Sequence, residues 1–173
     1  MFIAHLPATW LAFRALAPRP LPVAVLAAGL IGGIAPDIDL LWFYLFDHRQ
    51  HHHHGYLTHR PALWAGFLLV GWLLRCHRPG AMILAFAAGG LLHMALDSLC
   101  GSVAWAWPLS DWARPLVTVP ARHDWWVLNF LTHWSFAIEA ALVITAAITL
   151  RRSLNSLIQK EKPGGGAPGS SIS

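Results

Sequence analysis

An apolar segment carrying an imidazole and a carboxylate one helical turn apart constrains this chain more than any other feature. Gly89 to Asp97 reads Gly-Gly-Leu-Leu-His-Met-Ala-Leu-Asp. At 3.6 residues per turn, His93 and Asp97 share one helix face. Two such groups in apolar surroundings are costly unless they are paired, hydrogen-bonded or bound to a metal. The fold must therefore bring partners to this face. An isolated His-x-x-x-Asp is also compatible with a plain hydrogen bond on a helix surface, so the remainder of the chain decides between the two.

Composition sets the solvent. Hydrophobic residues fill 56% of the 173 positions, ten are Trp, and only 12% are charged, about half the ~25% of ordinary soluble proteins. The expectation is an all-α, membrane-embedded bundle of about five apolar helices over residues 1–153, with a metal site at one end. A polar, Gly/Pro/Ser-rich disordered tail is expected over 154–173. The net charge of +4 comes from Arg at segment ends and a Lys-bearing tail rather than from a basic stripe, so no nucleic acid is expected as a partner. Cys76 and Cys100 bracket an expected helix of about 24 residues and ~36 Å, too long for a disulfide between its ends.

Taken in order, the first apolar segment reads as a helix starting near His5, broken by Pro18, Pro20 and Pro22. Its basic residues, Arg14 and Arg19, follow the apolar run, unlike those of a signal peptide. Val23 to Ala35 forms a second helix, with Gly29, Gly32 and Gly33 allowing close approach. Pro36-Asp37-Ile38-Asp39 follows, and two acids at a helix C-terminus would be opposed by the dipole, which argues for a nearby cation. Leu40 to Phe46 is short and aromatic. His51 to His54 is a histidine run that a solvated low-complexity tract would also explain. Thr58 is expected to cap, and Pro61 to open, a helix over Ala62 to Leu74. The helix bearing His93 and Asp97 spans Ala81 to about Leu99. The Trp-rich connection 101–132 suits a headgroup layer, and a last helix, Trp134 to Leu150, is expected to end at Arg151-Arg152.

Folding these segments as hairpins brings His5, Asp37, Asp39, His54, His59, His93 and Asp97 to one end. Arg14, Arg19, Arg75, Arg78, Arg151 and Arg152 gather at the other, which the positive-inside rule makes cytoplasmic. The metal site is then expected on the non-cytoplasmic side of a multi-pass membrane protein. Four imidazoles and three carboxylates exceed the four ligands of one tetrahedral zinc, so two divalent ions are expected, zinc first, with manganese or magnesium as alternatives. Three carboxylates against two dications leave one net positive charge, suited to an anionic phosphate. Paired ions activate water for hydrolysis, with Asp97 and Asp39 as candidate catalytic residues. A phosphorylated lipid or another interfacial substrate is the expected partner besides the bilayer. The alternative is a non-catalytic protein that binds or buffers metal through its His-rich loop.

Gly33-Ile-Ala-Pro-Asp-Ile-Asp39, His54-x-x-x-Thr-His59 and Gly90-Leu-Leu-His-Met-Ala-Leu-Asp-Ser98, with Gly101 and Trp107-Pro108, resemble the LexA-regulated, membrane-bound metal-dependent hydrolase family of bacterial inner membranes. The resemblance runs from His5 to about Pro108. It implies a metal-dependent hydrolase, with the family's early His on His5, its acids on Asp37 and Asp39, its paired histidines on His54 and His59, and its His-x-x-x-Asp on His93 and Asp97. Gly55-Tyr56 and Arg60 depart from the family pattern, which bears on substrate contacts rather than on the ligands. The His-x-x-x-Asp element is also similar to that of the helical zinc-dependent phospholipase C and P1 nuclease enzymes, a weaker analogy toward phosphodiesters.

Overall fold

The computed structural model describes residues 3–48, 50–51 and 53–161. Among these residues the regular structure is all helical: α1 (His5–Leu16), α2 (Val23–Gly32), a 3-10 turn (Ala35–Ile38), α3 (Asp39–Leu45), two further 3-10 turns (His53–Gly55 and Leu57–His59), α4 (Pro61–Leu73), α5 (Arg78–Asp97), α6 (Trp126–Leu131) and α7 (Ser135–Glu161). Prolines set several boundaries. Pro18 and Pro20 stop α1 from continuing, while Pro36, Pro61 and Pro79 sit in first turns, where a missing N–H costs nothing.

The α5 helix is the axis of the fold, packed against α2 on one side and α4 on the other. Glycines make the first contact possible. A Cβ on Gly32 would lie 1.9 Å from the Phe86 carbonyl oxygen, and one on Gly89 would lie 2.1 Å from that of Gly29. The two backbones therefore touch, as small residues allow between membrane helices. On the opposite face Trp64 packs with Met94 and Val103 to form the apolar core, flanked by Phe86 and Leu91.

Length and apolar composition single out α5 as able to cross a membrane, together with α2 and the Ala35–Leu45 stretch as a pair bent by 55°. This is narrower than the expected bundle of about five membrane helices, because α1 and α4 are short and α7 carries Glu139 and two arginines. The exterior is nonetheless apolar: Leu41, Trp42 and Leu45 of α3 and Phe46 just after it are each more than half exposed, apolar surface of the kind that marks an interaction site.

Two boundaries differ from expectation. The last helix runs through Arg151-Arg152 to Glu161, because Leu154, Leu157 and Gln159 are good helix formers and no breaker intervenes. The domain boundary drawn at 153 thus falls inside a helix, and the expected tail lies outside the described residues from 162 onward. The connection after α5 contains a short helix, α6, and is pinned where it begins. Leu116 and Val117 donate to the Ser98 and Leu99 carbonyls, and the Trp105 indole donates to Ser98 Oγ, supplying partners beyond the C-terminal end of α5. Trp105, Trp112, Trp125 and Trp126 are each half exposed or more.

Candidate metal centre

The break between α2 and α3 presents the first two ligand candidates. Pro36 tightens the chain into a 3-10 turn with Asp37 in it, and Asp39 opens α3. The expected conflict with a helix C-terminus does not arise, since both acids lie in first turns, where the helix dipole favours negative charge. The dipole is thus no argument for a cation here. His54 and His59 come from the two 3-10 turns, the second fixed by the Trp64 indole, which donates to the Thr58 carbonyl at 2.8 Å. Thr58 does not cap α4. Its hydroxyl donates to Asp39 Oδ2 at 2.6 Å instead.

Asp97 stands at the centre. Its Oδ1 is 3.0 Å from His5 Nε2, and its Oδ2 is 3.1, 3.3 and 3.5 Å from the Nε2 atoms of His93, His54 and His59. Asp37 Oδ1 is 3.6 Å from His93 Nε2 and 3.9 Å from His59 Nε2, while its Oδ2 is 4.0 Å from His5 Nδ1. Each of these carboxylates therefore turns one oxygen toward the His59/His93 pair and the other toward His5. The His5 and His93 rings stack with centroids 3.7 Å apart. Six of the seven residues expected from the sequence converge directly. Asp39 is one step removed, accepting from His59 Nδ1.

The outer hydrogen bonds decide what the imidazoles offer inward. His93 Nδ1 donates to the Gly33 carbonyl at 2.9 Å, and His59 Nδ1 donates to Asp39 Oδ2. A carbonyl or carboxylate can only accept, so each neutral ring must present an unprotonated Nε2 to the cluster. Both Nε2 atoms are buried without a formed hydrogen bond, facing carboxylate oxygens that also carry lone pairs. Lone pair against lone pair is stable only with a proton or a cation between them. Burial by itself pulls the His59 imidazole down, but Asp39 and Asp97 outweigh it, leaving the pKa raised to about 9. At 3.5 Å the Asp97 contribution is a charge interaction rather than a hydrogen bond.

Asp37, His59, His93 and Asp97 place one ligand atom each within 4.8 Å of one another. Tetrahedral ligands at 2.0–2.1 Å from zinc would stand about 3.3 Å apart. The four carboxylate-to-imidazole separations run from 3.1 to 3.9 Å, so the donor set fits such an ion in size and in chemistry. His53, His54 and His59 form a second group, but Asp39 holds His59 Nδ1, which leaves that ring one nitrogen to share. Within the histidine run, His51 turns away to Asp47 (Nδ1 to Oδ1 2.7 Å), holding the Asp47 carboxyl down to about 2. His52 lies outside the described residues. His54 is seated by Gly101, where a Cβ would come 2.1 Å from its Cε1. The Asp37 side chain is 34% exposed, whereas those of His5, His59, His93 and Asp97 are almost fully enclosed, so the cluster opens at Asp37.

The family model of YdjM inner membrane proteins matches residues 1–158. The chain belongs to that family. No curated protein and no solved structure matches it. As a YdjM-family member the chain is an inner membrane protein, in keeping with its apolar exterior, and the resemblance drawn from the three motifs agrees at that level.

Two residues of this YdjM-family member that bear on the site escaped the motif reading. Glu139, 1% exposed in the apolar stretch of α7, accepts from the Ile3 amide at 2.7 Å and so holds the start of α1, where His5 sits. Its signal was available, since a lone acid in a run of apolar residues of a membrane protein marks a partner. Thr9, fully buried, donates to the His5 carbonyl at 2.7 Å. It carries no recognisable pattern. Arg60, a departure from the family motif, lies over the Trp107 ring at 5.6 Å and donates to the Gly55 carbonyl.

Proposed function

We propose that this YdjM-family chain is a membrane-bound metal-dependent hydrolase, acting on phosphoesters, with a dinuclear His/Asp site. The observation that carries the reading is the pair of carboxylates, Asp37 and Asp97, each dividing its two oxygens between His59/His93 on one side and His5 on the other. Carboxylates so placed would be able to hold two ions between them. Zinc suits the imidazole-rich donor set best, and manganese or magnesium would accept the carboxylates. When bound, a pair of divalent ions supplies Lewis acidity and lowers the pKa of water. The chain's own residues do the rest. Gly33 and Asp39 fix the tautomers of His93 and His59 and raise their basicity, and Thr58 in turn orients Asp39. Asp39 therefore acts behind the ligands, while Asp97 keeps the central role. Asp37, the exposed carboxylate, is what an incoming water or phosphoester meets first.

The apolar face of α3 follows directly on the Asp37–Asp39 turn, which favours a substrate drawn from the membrane interface, such as a phosphorylated lipid. Arg14, Arg19, Arg75 and Arg78, around the turns opposite His5, and Arg151 and Arg152 beyond the apolar stretch of α7 favour a site facing away from the cytoplasm. A second reading, metal binding without catalysis, draws on the His53, His54 and His59 group. Asp97→Asn separates the two. Hydrolysis requires loss of activity across a phosphoester panel and a fall of 100-fold or more in metal affinity, with helical content kept. Wild-type metal stoichiometry and wild-type hydrolysis in the purified variant would refute the site.

A further inference from the structure

At the end of α1 opposite His5, the turn into α2 encloses a cavity of about 390 Å³. Its floor is apolar, from Trp10, Phe13, Leu21 and Leu26, and its rim carries Arg14 and Arg19. Arg14 lies one turn beyond Trp10 on the same face of α1, its guanidinium 5.5 Å from the ring centroid. Arg19 sits between Pro18 and Pro20, in a stretch whose backbone is restricted before any ligand arrives. Among the described residues neither guanidinium meets a carboxylate; the Arg–carboxylate pair found there is Arg60 with Asp111. Leu16 and Val23, on either side of the turn, are 83% and 84% exposed.

We propose that this cavity binds the headgroup of an anionic phospholipid in the leaflet opposite the metal centre. Two guanidiniums that meet no carboxylate among the described residues, one on the last turn of α1 and one on the stiff turn that follows, match a phosphodiester, for which Arg offers planar, bidentate donors. The apolar floor and the two exposed aliphatic side chains match the glycerol backbone and the first acyl carbons. A soluble phosphate ester would use the arginines and leave Leu16 and Val23 in water. Basic pockets at helix ends of membrane proteins take lipid headgroups by this combination of charge and apolar contact. The site is separate from the metal centre, since Arg14 lies nine residues beyond His5 on α1, about 14 Å along the helix at ~1.5 Å per residue.

The test is native mass spectrometry of the full-length protein in a zwitterionic detergent, titrated with phosphatidylglycerol and phosphatidylcholine. The expected result is preferential retention of phosphatidylglycerol. A Arg14→Gln/Arg19→Gln double variant should lose roughly 30-fold in that affinity, at about fivefold per basic residue near an anionic lipid. Arg14→Lys/Arg19→Lys keeps both charges, guards against misfolding, and should retain a reduced preference. Arg151→Gln/Arg152→Gln, which removes as much charge from α7 without touching the cavity, should leave the preference intact. Equal loss in the α7 variant, or no preference in the wild type, would overturn the proposal. Displacement of the lipid by millimolar inorganic phosphate would overturn it as well, because the cavity would then be a free-phosphate site.

Discussion

Replacing Gly32 by Ala tests whether helix contact and metal geometry are one problem. The added Cβ would lie 1.9 Å from the Phe86 carbonyl oxygen, against the 3.0 Å below which real contacts essentially never occur. The neighbour is backbone and cannot rotate away, so α2 and α5 must separate by about 1 Å locally. Gly33 is the next residue, and its carbonyl holds His93 Nδ1 at 2.9 Å. Moving it by that amount carries the pair to about 4 Å, beyond a hydrogen bond. Overpacking of this kind costs about 1–3 kcal/mol, and loss of the bond that orients a metal-binding imidazole lowers metal affinity about 10- to 100-fold. Thermal unfolding in detergent and metal titration against a competing chelator read the two effects on one sample. Gly66→Ala is the control, because a Cβ there meets nothing within 4 Å; it should leave both readings unchanged or raise stability slightly. A Gly32→Ala variant that matched the control in both would refute the coupling of packing to site.

Other outcomes follow from the same geometry. Asp39→Asn should weaken metal binding by about 10- to 100-fold without abolishing it, as expected for a group that orients His59 rather than a direct ligand; complete loss in chelator titration would place Asp39 among the ligands. A reporter fused at the C-terminus should be active only in a form that works in the cytoplasm, given Arg151 and Arg152, which close the apolar stretch of α7. Activity confined to the opposite side would invert the orientation.

Much of the site was legible because its signals are local. The His93/Asp97 spacing follows from helical pitch, and the proline breaks fix where each hairpin turns, so the convergence of His5, Asp37, His59 and Asp97 could be reasoned from order alone. The role of Asp39 was not legible. Whether an acid at that turn faces inward or backs an imidazole depends on Thr58, whose hydroxyl could equally have capped α4. The dipole argument does not hold for a related reason: the sequence does not reveal that the chain bends by 55° at the Gly33-Ile34 break, which makes a helix end into a helix start. Glu139 and Thr9 act through contacts to the start of α1, set by packing across more than a hundred residues for Glu139 and by helix burial for Thr9. The end of α7 was not legible at Arg151-Arg152, because a change from apolar to charged side chains need not interrupt hydrogen bonding along a helix.

The 92 residues between His5 and Asp97 also set a schedule. Protein synthesis adds about 5–20 residues per second, so His5 waits on the order of 5–20 s for Asp97 to be made. The Glu139 contact to Ile3 forms only after a further stretch of chain has been threaded. On the proposed function, the ligand set is complete once α5 has been made, while the hold of Glu139 on the start of α1 waits for α7, so full ordering of the centre is a late event in the birth of the molecule. Truncations within α7 should therefore yield chains that insert but load poorly.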